Sequence, residues 1–169
     1  MIRTVWTLAL LLSVSAPDPH VRSLDADLLD AIHAGARTSG TLRGLVARID
    51  ASDVVAYVMW ARSTETGVAA HVSFMAAAPE RRYLRVVIDP AYGGCQLLGL
   101  IGHELQHVVE IAGERTVVDE RSLAALYRTI GYESGGFGEA RFESRAAIES
   151  GRRVMHEVLA SGSLSIRAR

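Results

Sequence analysis

The chain contains no lysine, so all 18 of its basic residues are arginine, and none of them gathers into the dense run that a nucleic-acid or anionic-membrane surface needs. With 19 acidic residues against them the net charge is −1, and no nucleic-acid partner is expected. A biased genome composition accounts for the missing lysine, which points to no function. Cysteine is nearly absent too: Cys95 stands alone, which rules out an intramolecular disulfide and any zinc site built from several thiolates. Gly93-Gly94-Cys95-Gln96 carries no nucleophilic-cysteine signature, so Cys95 is expected to be a buried structural residue. No apolar stretch reaches the roughly 20 residues of a membrane-spanning helix. After Pro19 there is no Gly/Ser linker, repeat or low-complexity tract, so residues 20–169 read as one domain. At 49 % apolar and 22 % charged residues the whole chain is too apolar to stay disordered.

What is present begins with Met1-Ile2-Arg3-Thr4, an apolar run from Val5 to Val14, and Ser15-Ala16-Pro17. One positive charge, a short greasy segment and a small-residue cleavage pattern are the outline of a secretory signal over residues 1–16. Pro17 hinders cleavage after Ala16, and an uncleaved segment becomes an N-terminal anchor. Periplasmic or extracellular export is therefore expected, with no other membrane attachment. No cysteine follows the run, which argues against a lipoprotein.

Leu24 to Ala36 and Leu42 to Ile49 carry apolar residues at helical spacing and predict two short helices. Val54 to Trp60, Val68 to Ala76 and Tyr83 to Ile88 are rich in β-branched and aromatic residues and are divided by Gly67 and by Pro79-Glu80. They predict a three-stranded antiparallel meander. A proline-free run from Cys95 to Ala112 predicts a long helix, Asp119 to Ile130 another with Asp119 as its N-cap, and about Gly138 to Leu159 a last one. The fold class is α+β.

Apolar residues surround nearly all of the Cys95–Ala112 helix, which places it in the interior. It nevertheless carries His103-Glu104-Leu105-Gln106-His107, and unpaired polar groups at such depth cost several kcal/mol. Residues four apart share a helix face, with about a 6 Å rise between them, so His103 and His107 can hold one ion. Glu104 lies roughly 100° around the helix, off the coordination plane and in the position of a general base. From this composition such a pentapeptide arises by chance about once in 75 chains.

Over roughly Tyr83 to Ala112 the chain resembles the zincin metallopeptidases, whose signature is His-Glu-x-x-His on an active-site helix preceded by a small sheet. The resemblance implies a minimal zincin-like fold: a small antiparallel three-stranded sheet, a buried active-site helix, and further helices packed on them. It implies a bound Zn2+, a peptide or protein substrate laid along a sheet edge, and hydrolysis by a zinc-activated water with Glu104 as base.

Such a site needs a third protein ligand. Val108-Val109-Glu110-Ile111-Ala112-Gly113 lacks the metzincin continuation, which leaves a gluzincin-like arrangement with a glutamate from a later helix. On the last helix Ala140, Ala147, Gly151, Val154 and Val158 form a stripe with Glu143 at its edge, so Glu143 is the first choice for the ligand and Glu139, one turn earlier, the second. Glu110 shares the histidine face and is the other rival, better placed for a hydrogen bond to a ligand imidazole. His71 and His156 read as surface histidines, His20 and His33 carry no signal, and packing accounts for Tyr83, Tyr92 and Tyr132. Two other readings remain open: a non-catalytic zinc-binding envelope protein, and an interaction protein in which the motif is incidental.

Overall fold

The computed structural model describes residues 18–62, 68–133 and 142–162. The segment read as an export signal, and Glu139, lie outside them. The elements in chain order are β1 (Val21–Arg22), α1 (Ala26–Thr38), α2 (Gly40–Asp50), β2 (Val54–Trp60), β3 (Ala70–Ala78), β4 (Arg81–Ile88), α3 (Gly94–Gly113), α4 (Glu120–Ile130), β5 (Tyr132–Glu133), β6 (Phe142–Glu143) and α5 (Arg145–Ala160). The chain is α+β, as its pattern predicts.

The sheet differs from the expected antiparallel meander. It is four-stranded and mixed, in the order β1-β2-β4-β3. β1 and β4 flank β2 in parallel, and only β3 runs antiparallel, paired with β4. The reason lies in burial. In β2, Val54, Val55, Ala56 and Val58 are all buried, the near-continuous apolar run of an interior strand with a parallel partner. β3 is exposed over its last four residues, as an edge strand can be. The Pro79-Glu80 turn joins β3 to β4 with Ala78 opposite Arg81, so β3 folds onto the outer side of β4 instead of falling between β4 and β2.

Alternate residues share a sheet face: Ala56 and Val58 of β2 lie beside Leu84 and Val86 of β4, and with Val54 and Ile88 they form the face that meets the helices. Leu28 and Ile32 of α1, Leu42 and Ile49 of α2, and Leu98, Ile101, Leu105 and Val108 of α3 complete this core. Twelve of the 20 residues of α3 are buried, which makes it the central helix. No helix among the described residues is long and apolar enough to cross a membrane.

α3 ends without a basic residue in its last turn, and its carbonyls are met from elsewhere. Arg82, only 2 % exposed, donates from Nη1 to the carbonyls of Ile111 (3.0 Å), Glu114 (2.7 Å) and Val117 (3.1 Å), and from Nη2 to that of Ala112 (3.3 Å). Asp53 balances the guanidinium through bonds of 2.8 and 2.9 Å. One buried ion pair thus caps the central helix and ties it to the sheet.

α5 packs against α3 through glycine. A Cβ on Gly151 would lie 2.8 Å from the Gly99 carbonyl oxygen and 3.1 Å from His103 Cβ, and one on Gly102 would lie 2.6 Å from a Val154 methyl. α5 also begins later than its apolar stripe predicts. Ser144 is its N-cap, accepting from Ala147 N at 3.0 Å, while Phe142–Glu143 pair with Tyr132–Glu133. Glu143 is therefore on a short strand and not on the last helix. Asp119 caps α4 as expected, in a reciprocal box with Ser122.

Candidate metal centre

His103 and His107 lie one turn apart on α3 with their Nε2 atoms 3.2 Å apart and their rings edge-on, 4.9 Å between centroids. Glu143 reaches the same point from β6, its Oε2 3.2 Å from His103 Nε2. One donor atom from each of the three residues falls within 4.8 Å of the others. Glu143 arrives there because the chain around it is fixed on both sides. Ser144 Oγ donates to Glu110 Oε1 at 2.6 Å, and Gly131, whose Cβ would come within 3.1 Å of the Glu143 carbonyl oxygen, lets the preceding segment pass close.

Glu110 does not point into the cluster. Its Oε2 accepts from His107 Nδ1 at 2.9 Å and from the Tyr127 hydroxyl at 3.4 Å. Burial pushes its carboxyl up, but the bonds from His107 and Ser144, the His107 charge and a bond from Gln106 outweigh burial and hold it below the ordinary carboxylate range. The ionised carboxylate keeps a proton on His107 Nδ1, so in the neutral ring the Nε2 lone pair faces His103.

The cluster has the chemistry of a cation site. Glu143 Oε2 is buried, with His103 Nε2 beside it at an ion-pair distance of 3.2 Å and no other polar partner among the described residues. Burial raises the Glu143 carboxyl, yet the two imidazoles outweigh it and hold it ionised. At His103 burial pushes the imidazole down, while the carboxylates of Glu143, Glu104 and Glu110 more than reverse this and raise its pKa. Two imidazole nitrogens and a buried carboxylate oxygen are a donor set that zinc accepts. The side chains of His103 and Glu143 keep 18 % and 29 % of their surface in solvent, so the cluster is reachable from outside.

Glu104 is 4 % exposed and its carboxyl is raised by burial, with His107 and His103 opposing the shift. Tyr127, which sequence reasoning passed over, packs edge-on against His107 with 5.1 Å between ring centroids. Its hydroxyl, deeply buried and facing Glu110, is pushed far above its ordinary pKa and so keeps its proton to donate. The spacing of Leu123 and Tyr127 on one face of α4 was the available signal for it, and the Ser-x-x-Ala run at 144–147 was the signal for Ser144.

Other candidates lie apart from the cluster. His71 is in β3 opposite Val87, His156 is exposed on α5, and His33 is exposed on α1. His20 is buried beside the Ile49 carbonyl, with its ring Nδ1 3.1 Å from that oxygen. Tyr92 is exposed at the turn before α3, and Tyr83 is half-buried in β4. Cys95 is half-buried at the start of α3, less enclosed than expected, because only one side of that first turn meets the core. No protein-family model matches the chain, and neither a curated protein nor a solved structure matches it at a significant level.

Proposed function

We propose that this chain is a zinc-dependent hydrolase that cleaves peptide bonds, with His103, His107 and Glu143 holding the ion and Glu104 as general base. The observation that carries the reading is the buried oxygen of Glu143 beside two facing imidazole nitrogens. Zinc in that place supplies Lewis acidity toward a water and a substrate carbonyl. Glu104 takes the proton from the attacking water and delivers it to the leaving amine, and burial raises its carboxyl above the ordinary carboxylate value, which favours holding that proton. Glu110 and Tyr127 hold the His107 ring in one orientation.

The zincin-like reading places an extended substrate along a sheet edge, and β3 is the antiparallel edge available. The N–H of Phe74 is taken by Glu120 Oε1 at 2.8 Å, so a substrate strand pairing there displaces that side chain. The residue 1–16 pattern supports a site of action outside the cytoplasm.

The test is zinc titration of the purified chain together with hydrolysis of an unbiased peptide library read by mass spectrometry. One equivalent of zinc, cleavage, and loss of cleavage with retained zinc in Glu104→Gln are expected. Turnover unchanged in that variant sinks the mechanism. Absence of stoichiometric zinc sinks the metal site, and zinc without cleavage leaves only a non-catalytic one.

A further inference from the structure

Beside the donor cluster is a cavity of about 790 Å³, within the size range of small-ligand sites, lined among the described residues by Glu110, Ile130, Gly131, Ser144, Arg145 and Ala146. Two of its lining residues adjoin the cluster without belonging to it. Glu110 is the residue bonded to His107, and Ser144 follows Glu143 in the chain.

The lining has one unspent charge. Both carboxylate oxygens of Glu110 face inward, one accepting from Ser144 at 2.6 Å and the other from His107 at 2.9 Å. The Ser144 hydroxyl is occupied by that bond and by the cap of α5. Arg145 is exposed and makes no hydrogen bond or ion pair among the described residues. It also stands where helix stability does not want it. As the first residue of α5, in a first turn without any acidic residue, its cation faces the positive end of the helix dipole. A local rule broken without a structural return is the kind of departure found at functional positions. The rest of the wall is low and apolar: Ile130 is 44 % exposed, Ala146 is small, and at Gly131 even a Cβ would strike the Tyr127 carbonyl at 2.7 Å.

We propose that this cavity is a substrate subsite for a carboxylate-bearing peptide residue, either an acidic side chain or a free C-terminus, with Arg145 as the anion's partner and Ile130 against its aliphatic part. The subsite deepens the hydrolase reading and rests on it for the identity of the ligand as a peptide. Glu110 repels an anion from the inner wall, which leaves the carboxylate at the exposed Arg145 end.

The test is binding to the zinc-loaded Glu104→Gln chain, with three peptides of one apolar sequence: one with glutamate and an amidated end, one with a free C-terminus and no acidic side chain, and one with glutamine and an amidated end. Binding is read by fluorescence anisotropy and by amide chemical shifts. At least one carboxylate peptide is expected to bind roughly tenfold more tightly than the neutral one, as a charge-assisted arginine fork allows, and to move the amides of Gly131 and Ala146. Arg145→Ala should abolish the difference and Arg145→Glu should reverse it. Whichever carboxylate peptide binds more tightly identifies the source of the anion. Equal affinity for all three peptides, or a preference that survives Arg145→Ala, overturns the subsite. Cleavage by the unaltered chain is scored separately: cleavage without charge preference removes only the subsite, and Arg145-dependent binding without cleavage removes only the hydrolase.

Discussion

Ser144 Oγ donates to Glu110 Oε1 at 2.6 Å, so a carboxylate on α3 fixes the chain one residue away from Glu143. The other oxygen of that carboxylate holds His107 Nδ1. Glu110 therefore sets two of the three donors at once, one by direct contact with its ring and the other through the backbone that carries it.

The two halves of this clasp should act as a unit in metal binding. Ser144→Ala and Glu110→Gln are each expected to weaken zinc about tenfold or more, as loss of a ligand-orienting partner does elsewhere. The double variant should lose clearly less than the sum. Competition with a chromophoric chelator measures all three, and strict additivity would disprove the coupling. Glu143→Ala should cost more zinc affinity than Glu110→Ala, since it removes a donor itself.

Crowding the α3–α5 contact should disturb the ion more than crowding elsewhere. A Cβ at Gly151 presses on the Gly99 carbonyl and on His103 Cβ, whereas one at Gly35 meets only the ends of Leu42 and Leu98. Both Gly→Ala variants are expected to lose about 1–3 kcal/mol of stability in urea denaturation. Only Gly151→Ala should also weaken zinc, and equal zinc affinity in the two would contradict the role given to that contact.

Zinc binding should fall with pH through the range where His103 titrates. In the metal-free chain its imidazole is raised above the ordinary value, so a proton competes for Nε2 at mildly acid pH. The same shift means that protonated His103 stabilises the metal-free fold below the unfolded imidazole value, a contribution lost as pH rises through the folded one. Calorimetry in buffers of different ionisation enthalpy should count about one proton released per zinc near pH 6.5. No release there would count against His103 as a ligand.

The Arg82–Asp53 pair should be visible in acid stability. The bond from Arg82 lowers the Asp53 carboxyl, burial partly offsets this, and the guanidinium charge lowers it further. Its folded value is thus below the unfolded one, so the pair's contribution is full above about pH 4 and fades as pH falls through the folded value. Arg82→Leu should cost about 3 kcal/mol or more at pH 7, because it strands α3 carbonyls and a carboxylate. Asp53→Asn should be destabilised at pH 7 and approach the unaltered chain below pH 4. A constant gap across that range in denaturation curves would refute the assignment.

The features legible in the sequence were those written in short-range periodicity. α3 could be read because apolar residues encircle it, Asp119 because a cap announces itself within three residues, and the strand segments because β-branched residues cluster in them. Strand order was not readable. The Pro79-Glu80 turn says that β3 and β4 are neighbours, but nothing local says that β2 lies on the far side of β4. Glu143 was singled out from the edge of a helical stripe, and it does stand beside His103, though on a strand: Ser144 caps α5 and stops the helix one residue short of it. Arg82, Tyr127 and the bond of Ser144 to Glu110 went unread because those partners are 17 to 35 residues distant in the chain.

The glycine contact between α3 and α5 also sets when and how an ion can come and go. Before α5 docks, the centre has the two imidazoles of α3 but lacks the Glu143 carboxylate, and would hold a cation weakly. Tight capture would therefore come late in folding. In the finished protein the escape route is partial detachment of α5 with its leading strand, a local opening far less costly than global unfolding. The residence time of a bound zinc ion would then be a clock for that opening, and hydrogen exchange of α5 amides should slow in step with zinc occupancy.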